Sequence, residues 1–314
     1  DDIDKMVSKL EERIQNLENE LSLLNESLDK IKSVDSNSYS LKQREFISCN
    51  NEINTISDRI NNLSNFIDSK VKAIEENKKI NWYPEFVGTK RFANWLENMI
   101  DWGISRNRYW GCPLPVWTCS CGHKHVIGSL DELQSLVIED VDVRKIELHR
   151  PYVDDLHIKC SECGKTMERV KDVLDVWFDS GSMPYAQFHY PFENKELFEN
   201  QFPADFIAEG LDQTRGWFYV LLVISTIISG KSSFKNVVVN DMVLDGFGKK
   251  MSKSTGNVVD PIKELSEYGA DIVRWYMLSA SPVWTPLKYN SKGCKEVHSK
   301  FFNPFKNTYT FFQT

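Results

Sequence analysis

The chain has 314 residues, of which 41% are hydrophobic, 12% aromatic and 26% charged. This length and apolar content suffice for two domains with a substantial core. The formal net charge of −7 argues against a general nucleic-acid binder with a basic face. No apolar run reaches the roughly 18 residues that a membrane span needs, and the acidic start shows no signal peptide. We therefore expect a cytoplasmic protein with no membrane contact.

The first 77 residues differ from the rest in charge and in pattern. They carry 16 Asp or Glu against 10 Lys or Arg. Apolar residues recur from Ile3 to Ile31 and again from Phe46 to Ile74, at alternating spacings of four and three. Such heptads predict two coiled-coil helices, and a polar loop at 33–40 predicts that they fold back as an antiparallel hairpin. Because the segment is acidic, a spacer or self-association element is favoured over an RNA-binding arm.

From residue 78 onward the pattern becomes mixed α/β. Strands are predicted at 205–208 and 234–244, with an apolar helix from residue 213 between them and no hairpin signal. This order implies a parallel crossover and half of a doubly wound, Rossmann-like sheet. Further helices are predicted at 92–104, 129–136, 260–268 and 271–279. Trp95, Trp102 and Trp275 are interpreted as core residues.

Four of the seven cysteines lie in two short knuckles, each followed by a glycine. Cys119 and Cys121 form the first knuckle, and Cys160 and Cys163 form the second. Two such knuckles favour one structural, tetrahedral Zn²⁺ site of the ribbon type over free thiols or disulfides, in a reducing compartment. Because the first knuckle has a single spacer residue, His123 remains an alternative ligand there. The other cysteines are interpreted as isolated small hydrophobic residues: Cys49, Cys112 and Cys294.

A short lysine-containing loop follows the predicted strand 234–244. It contains Lys250, Ser252, Lys253 and Ser254. Two ammonium groups on one loop can surround a polyphosphate and stabilise the charge that develops when pyrophosphate leaves. By itself the loop could equally be a solvated surface turn.

Six longer strings, in order along the chain, resemble isoleucyl-tRNA synthetases, which are class I aminoacyl-tRNA synthetases. They are NWLEN (94–98), ISRNRYWG (104–111), LHRPYVD (148–154), DVWFDSGS (175–182), AEGLDQTRGWF (208–218) and KMSKSTGNVVDP (250–261). The resemblance covers about three quarters of the chain and implies the second half of the catalytic core. It also implies ATP (with Mg²⁺), isoleucine and tRNA(Ile) as substrates and partners.

The resemblance assigns roles to individual residues. It implies that Lys250 and Lys253 contact the leaving phosphates, with hydroxyl donors from Ser252 and Ser254. Lys253 is the stronger candidate of the two lysines.

Residues at the predicted strand end and the following helix complete the implied site. Glu209, Asp212 and Gln213 would bind the adenylate or the substrate ammonium, although helix capping is the alternative role for the two carboxylates. Trp177 and Trp217 would form the walls of the isoleucine side-chain pocket. Because one methylene is worth only about 1–3 kcal/mol of discrimination, family members also use an editing domain.

Several family features are missing from the sequence. It contains no His-Ile-Gly-His motif and no editing domain, and Asn303-Pro304 is expected to break the last helix. We therefore expect a complementary N-terminal catalytic half as a partner. The alternatives are a non-catalytic remnant that assembles through the coiled coil and a valyl-type ligase. The predicted units are 1–77 (hairpin), 78–110 (re-entry into the core), 111–170 (zinc insertion), 171–290 (catalytic half) and 291–314 (stem helix).

Overall fold

The computed structural model describes the backbone of residues 2–32 and 39–313. Their side chains are described except at 2–6, 31–32, 39–46, 59, 62–63 and 66–67. The α-helices are α1 Asp2–Lys32, α2 Tyr39–Lys79, α3 Ala93–Glu97, α4 Leu130–Leu136, α5 Val176–Gly181, α6 Met183–Ala186, α7 Lys195–Gln201, α8 Trp217–Ser229, α9 Pro261–Tyr268, α10 Ala270–Ser279, α11 Ser291–Val297 and α12 Asn303–Gln313. None of the described helices is both long and apolar enough to cross a membrane.

The strands are short. They are β1 Asn81–Tyr83, β2 Ser105–Arg106, β3 Val116–Thr118, β4 Lys124–Val126, β5 Ile158–Lys159, β6 Thr166–Arg169, β7 Val173–Leu174, β8 Ile207–Gly210, β9 Asn236–Asn240, β10 Val243–Leu244 and β11 Leu287–Lys288. They form one three-stranded, one four-stranded and two two-stranded sheets, so this α/β chain contains several small sheets rather than one large sheet.

The two long N-terminal helices pack along each other. Leu17 and Leu28 of α1 are buried, as are Cys49 and Ile56 of α2. The Cys49 thiol donates a hydrogen bond to the Leu24 carbonyl at 3.3 Å. All five residues occupy predicted seam positions, so the heptads lie where the helices meet. The predicted loop at 33–40 falls mostly outside the described residues, and the hairpin stays a prediction.

The C-terminal end of α2 is part of the central core. Ile74 belongs to the same buried cluster as residues of the central sheet and of α8. The buried Asn77 side chain accepts from Trp82 Nε1 at 3.0 Å and donates to the Gly88 carbonyl at 3.1 Å. Glu76 accepts from the Ser232 N–H at 3.0 Å. These contacts attach α2 firmly to the unit that follows it.

The central sheet has three parallel strands in the order β1-β9-β8. Ile207 lies opposite Val237, and Gly210 lies opposite Asn240. Helix α8 connects β8 to β9, and it ends at Gly230, whose positive φ of 68° is the usual helix C-terminal conformation. The predicted parallel crossover is therefore confirmed. It matters because the carboxyl ends of β8 and β9 lie side by side.

The cysteine-containing insertion is a separate unit with its own core. Its four antiparallel strands have the order β4-β3-β6-β5. Helix α4 packs beside them, and the Ser129 hydroxyl caps it by accepting from the Glu132 N–H at 3.1 Å. The buried side chains of this core include Trp117, Leu133 and Met167.

Several predicted boundaries differ from the structure. The predicted helix 92–104 ends at Glu97 and is preceded by a π-helical segment, Val87–Phe92. The predicted strand 234–244 is two strands, because the chain leaves the central sheet after Asn240 and pairs β10 with β11. The short predicted strand at 205–208 is observed two residues later, as β8.

Three further predictions were wrong. Trp275 is 44% exposed and stacks on Phe301 at 4.2 Å, so it is a surface residue. Pro304 does not end the last helix, because a π-helical turn, His298–Phe302, leads directly into α12. Cys112 is exposed, unlike buried Cys49 and Cys294.

Candidate functional site

A cleft of about 300 Å³ lies at the carboxyl end of β8, and it is lined by Glu209, Gln213 and Trp217. Glu209 is exposed near the end of β8. A 3₁₀ turn, Leu211–Arg215, follows the strand and carries Gln213, and α8 then begins with Trp217. Strand ends of this kind are where ligands of open α/β sheets bind. Three of the predicted site residues are thus brought together.

Hydrogen bonds organise the turn that carries Gln213. Gln213 Oε1 accepts from the Trp217 N–H at 2.9 Å, and Gln213 Nε2 donates to Asp212 Oδ2 at 3.0 Å. Within the described part of the chain, neither Glu209 nor Asp212 accepts a hydrogen bond from a backbone N–H. The amide of Gln213, rather than a carboxylate, therefore caps α8, and Glu209 stays open to the cleft.

Trp177, from α5, lies beside this cleft, close to the start of α8. A methyl group built on Gly216 would lie 3.1 Å from Trp177 Cη2 and 2.8 Å from Gln213 Oε1. Only a glycine at 216 therefore lets the indole of Trp177 come so close to the start of α8. Trp217 Nε1 donates to the Ser180 carbonyl at 3.3 Å, which connects α8 back to α5.

A buried carboxylate that sequence reasoning missed, Asp175, lies directly before α5. It is 4% exposed and accepts from the Trp177 N–H, from Trp102 Nε1 and from Arg106. Burial by itself would raise the pKa of Asp175, but these donors and the charges of Arg106 and Arg108 lower it overall. Asp175 begins the string DVWFDSGS, and the local signal for the role of its side chain is an Asp at a helix N-terminus.

The predicted phosphate loop follows β10. Lys250 and Lys253 are exposed, whereas Met251 packs against the buried cluster around Tyr276 and Leu287. Within the described residues neither ammonium group forms an ion pair. The loop is therefore anchored by its methionine while both of its cations face outward.

A hydrogen-bond network closes the loop at its base. Asn257 donates to Asp245 Oδ2 at 2.8 Å and to the Lys250 carbonyl at 3.1 Å, and it accepts from the Ser252 N–H at 2.9 Å. The Ser252 and Ser254 hydroxyls lie 2.7 Å apart. The side chain of Asn257 and the N–H groups of residues 249 and 247 lower the pKa of Asp245.

The loop and the cleft leave the sheet at the same edge. Asn240, the last residue of β9, pairs with Gly210, the last residue of β8. The chain that continues from Asn240 passes through β10 into the lysine loop, and the chain from Gly210 carries Gln213. Adjacent strand ends thus supply the cationic loop and the polar cleft.

The four predicted metal ligands converge in the insertion. The sulfur atoms of Cys119, Cys121, Cys160 and Cys163 all lie within 4.8 Å of one another. Two of the S···S distances are 3.4 and 3.7 Å. Zn–S bonds of about 2.3 Å in a tetrahedron place sulfur atoms roughly 3.8 Å apart, so the cluster has the size of a Zn²⁺ site. His123 is not part of it and lies beside Ser161, 3.3 Å from its hydroxyl.

Each knuckle is a β-turn at the end of a hairpin. The Cys119 N–H donates to the His123 carbonyl at 2.9 Å, and the Cys160 N–H donates to the Lys165 carbonyl at 2.8 Å. Each knuckle is followed by a glycine of positive φ, 93° at Gly122 and 70° at Gly164. Because other residues rarely adopt this conformation, the glycines explain the Cys-Gly pattern. The N–H of Cys121, together with the neighbouring thiols, lowers the pKa of Cys119 to about 6.

Comparison with known proteins identifies the family. A family model described as tRNA synthetases class I (I, L, M and V) matches residues 31–288, a range that includes α2. The isoleucine–tRNA ligase of Clostridium tetani is 54% identical over 242 residues, which are 77% of this chain and 23% of that protein. The isoleucine–tRNA ligase of Cytophaga hutchinsonii is 52% identical over 252 residues. The chain thus spans about a quarter of the length of these relatives.

Among solved structures, the LeuRS–tRNA–LeuAMS ternary complex of Agrobacterium radiobacter K84 aligns with 64% of this chain and 27% of that chain. The identity is 27% and the TM-score 0.49. The family model covers most of the chain, and more than half of the aligned residues are identical in these two isoleucine–tRNA ligases. The chain belongs to the class I tRNA synthetase family of isoleucine, leucine, methionine and valine enzymes.

Proposed function

We propose that this chain is the nucleotide-loop half of an isoleucine–tRNA ligase, which forms isoleucyl-adenylate and transfers isoleucine to tRNA(Ile). The observation that carries this proposal is the convergence of Glu209, Gln213, Trp217 and Trp177 at one strand end. The similarity to isoleucine–tRNA ligases supports it.

The chemistry requires charge stabilisation rather than a protein nucleophile. A carboxylate oxygen of isoleucine attacks the α-phosphorus of ATP, and the bond to pyrophosphate breaks. Lys250 and Lys253 offset the charge that moves onto the leaving group, with Ser252 and Ser254 as further donors. Mg²⁺ bound to the phosphates supplies Lewis-acid stabilisation.

The cleft holds the other parts of the adenylate. Glu209 accepts hydrogen bonds from hydroxyl or ammonium groups, and Asp212 and Gln213 extend this polar side. The rings of Trp177 and Trp217 form the apolar side and contact the branched side chain of isoleucine. A rigid apolar wall suits this substrate because discrimination against valine depends on one methylene.

The four-cysteine cluster is proposed to hold a structural Zn²⁺ ion. Four thiolates complete a tetrahedral shell and leave no open position for catalysis. The metal would join the two knuckles of a unit whose strands are only two to four residues long.

Further parts of the proposal concern partners. The outer edge of β8 has no neighbouring strand within the described residues, so we infer that it pairs with a complementary catalytic half. Self-association through a coiled-coil hairpin of α1 and α2 and a cytoplasmic location complete the proposed function.

Isoleucine-dependent exchange between ATP and pyrophosphate tests the assignment. The chain is assayed alone and together with a polypeptide that supplies the His-Ile-Gly-His half of a relative. We expect exchange in the mixture with isoleucine and much weaker exchange with valine. The assignment is wrong if the mixture is inactive while each part is folded by circular dichroism.

A further inference from the structure

Asp175 is the most highly connected buried carboxylate near the proposed isoleucine pocket. Its Oδ1 atom accepts from the Trp177 N–H at 2.9 Å and caps α5. Its Oδ2 atom accepts from Trp102 Nε1 at 3.1 Å and from the guanidinium of Arg106. One side chain therefore joins the start of α5 to the segment that holds Trp102 and Arg106, which lie 73 and 69 positions earlier in the sequence.

The backbone around Asp175 is fixed by a short ribbon. Strand β2 pairs antiparallel with β7, so that Ser105 lies opposite Leu174. The Asp175 N–H then donates to the Ile104 carbonyl at 2.8 Å. The β2–β7 pairing and this hydrogen bond thus fix the backbone of Asp175 immediately before the helix that carries Trp177.

Trp177 itself has little packing to hold its ring. It is 42% exposed, and α5 is a helix of only six residues. A helix this short is not stable by itself, so its first turn depends on the cap and on contacts with α8. Those contacts include the hydrogen bond from Trp217 to the Ser180 carbonyl and the close approach at Gly181, where a methyl group would lie 2.7 Å from Ile224 Cδ1.

The two restraints act at opposite ends of α5. Gly181 sets how closely the C-terminal end approaches α8, and Asp175 sets where the N-terminal end begins. Trp177 is the second residue of the helix, so the cap controls the ring that faces Gly216 and the cleft. Loss of the cap would free the ring of Trp177 while leaving the packing at Gly181 in place.

We propose that Asp175 is a positioning residue that determines amino-acid specificity by fixing the Trp177 wall relative to Trp217. The claim rests on the proposed function for its substrate, an aliphatic amino acid of isoleucine size. The position of the Trp177 ring can be measured without a ligand. Two different measurements can therefore test it.

The first measurement is fluorine NMR of the full chain labelled with fluorotryptophan. The Trp177 and Trp217 resonances are assigned by single Trp→Phe variants. In Asp175→Ala we expect the Trp177 resonance to shift and broaden. Asp154→Ala is the matched control, because Asp154 is likewise a carboxylate bound to arginine, here Arg150 and Arg169 of the cysteine-containing insertion. The proposal is overturned if the Trp177 resonance is unchanged in Asp175→Ala, or moves equally in the control.

The second measurement is the ratio of affinities for non-hydrolysable isoleucyl- and valyl-adenylate analogues. One methylene allows a ratio of about 10–200, and we expect at least a fivefold fall of this ratio in Asp175→Ala. Asp175→Asn, which can still cap a helix, should stay within about threefold of the wild type. An unchanged ratio in Asp175→Ala overturns the proposal.

Failure of the proposed function gives a different result. In that case the wild-type chain, supplemented with the complementary half, binds neither analogue. The fluorine spectra still decide whether Asp175 positions Trp177.

Discussion

At the scale of single residues, the lysine loop gives the most direct prediction. Lys253→Ala should lower isoleucine-dependent pyrophosphate exchange of the complemented enzyme by about 10²–10³-fold, the usual cost of removing one preorganised donor to a developing charge. The fall should be in the rate rather than in the KM for isoleucine, because the ammonium acts on the leaving phosphates. Steady-state exchange kinetics measure both.

A matched lysine provides the control for this change. Lys263 is exposed on α9 and outside the loop. Lys263→Ala removes the same charge and should leave exchange within about twofold of the wild type. Equal losses in the two variants would mean that overall charge, not the position of Lys253, matters.

The base of the loop should respond to acid. Asp245 accepts from the N–H groups of Phe247 and Lys249 and from Asn257, and these donors lower its folded pKa. The ionised Asp245 therefore stabilises the folded loop fully at pH values above the pKa of an unfolded Asp. This stabilisation is lost as the pH falls through the folded pKa. The amide resonances of Phe247 and Lys249 should titrate together, with a midpoint below about 3.9. A midpoint at or above that value contradicts the prediction.

Many residues of the candidate site can be predicted from the sequence, but the residues that hold them in position cannot. Glu209, Gln213 and Trp217 lie within one short string, so their proximity follows from the strand-to-helix junction. Asp175 pairs with residues 69 and 73 positions earlier. Nothing local marks such a contact, because it depends on how β2 and β7 meet. The same reason explains Trp275, whose apolar ring looks like core in sequence but lies on the surface.

At the scale of elements, the two knuckles predict a metal-dependent unit. The wild type should contain about one zinc per chain, and Cys160→Ser should lose it. His123→Ala should keep it, because His123 lies outside the sulfur cluster. The zinc content of all three proteins is measured after unfolding, with a dye that binds the released zinc. Zinc retained in Cys160→Ser but lost in His123→Ala would reverse the assignment of ligands.

The junction between α2 and the core gives a stability prediction. Asn77→Ala leaves the buried Trp82 N–H and the Gly88 carbonyl without partners, at a cost of about 1–3 kcal/mol. Asn61, which is exposed on the same helix, is the control, and its alanine variant should be nearly neutral. Urea unfolding measures both. Similar midpoints for the two variants would mean that α2 is not part of the folding unit.

Elements with strong local signals are the ones that sequence predicts well. Helix α8 is bounded by Gly216 and Gly230 and is mostly apolar, and it begins four residues after the predicted start at 213. Helix α9 begins at Pro261, a favourable first position. Strands β10 and β11 have two residues each and exist only through their mutual pairing. The sequence around each of these two strands gives no signal that they pair with each other.

At the scale of the whole molecule, the central sheet presents an open side. Parallel strands are normally covered on both faces and flanked by further strands. Here β8 is an edge strand of the described sheet, Phe206 beside it is 65% exposed, and Ile227 and Ile228 of α8 are also exposed. Exposed apolar surface at a strand edge indicates a pairing site. The opposite edge strand of the described sheet, β1, contributes Trp82 to the buried cluster that contains Val87 of the π-helix and Ile74 of α2.

This asymmetry predicts where a complementary half would bind. When the His-Ile-Gly-His half of a relative is added, amide hydrogen exchange should slow at β8, because a new strand would engage its free N–H groups. The N–H groups of β1 serve as the internal control and should not change. Protection at β8 should rise with the same concentration dependence as pyrophosphate exchange, since one binding event would produce both. Activity without protection at β8, or protection at β1 in its place, would show that the two halves meet elsewhere.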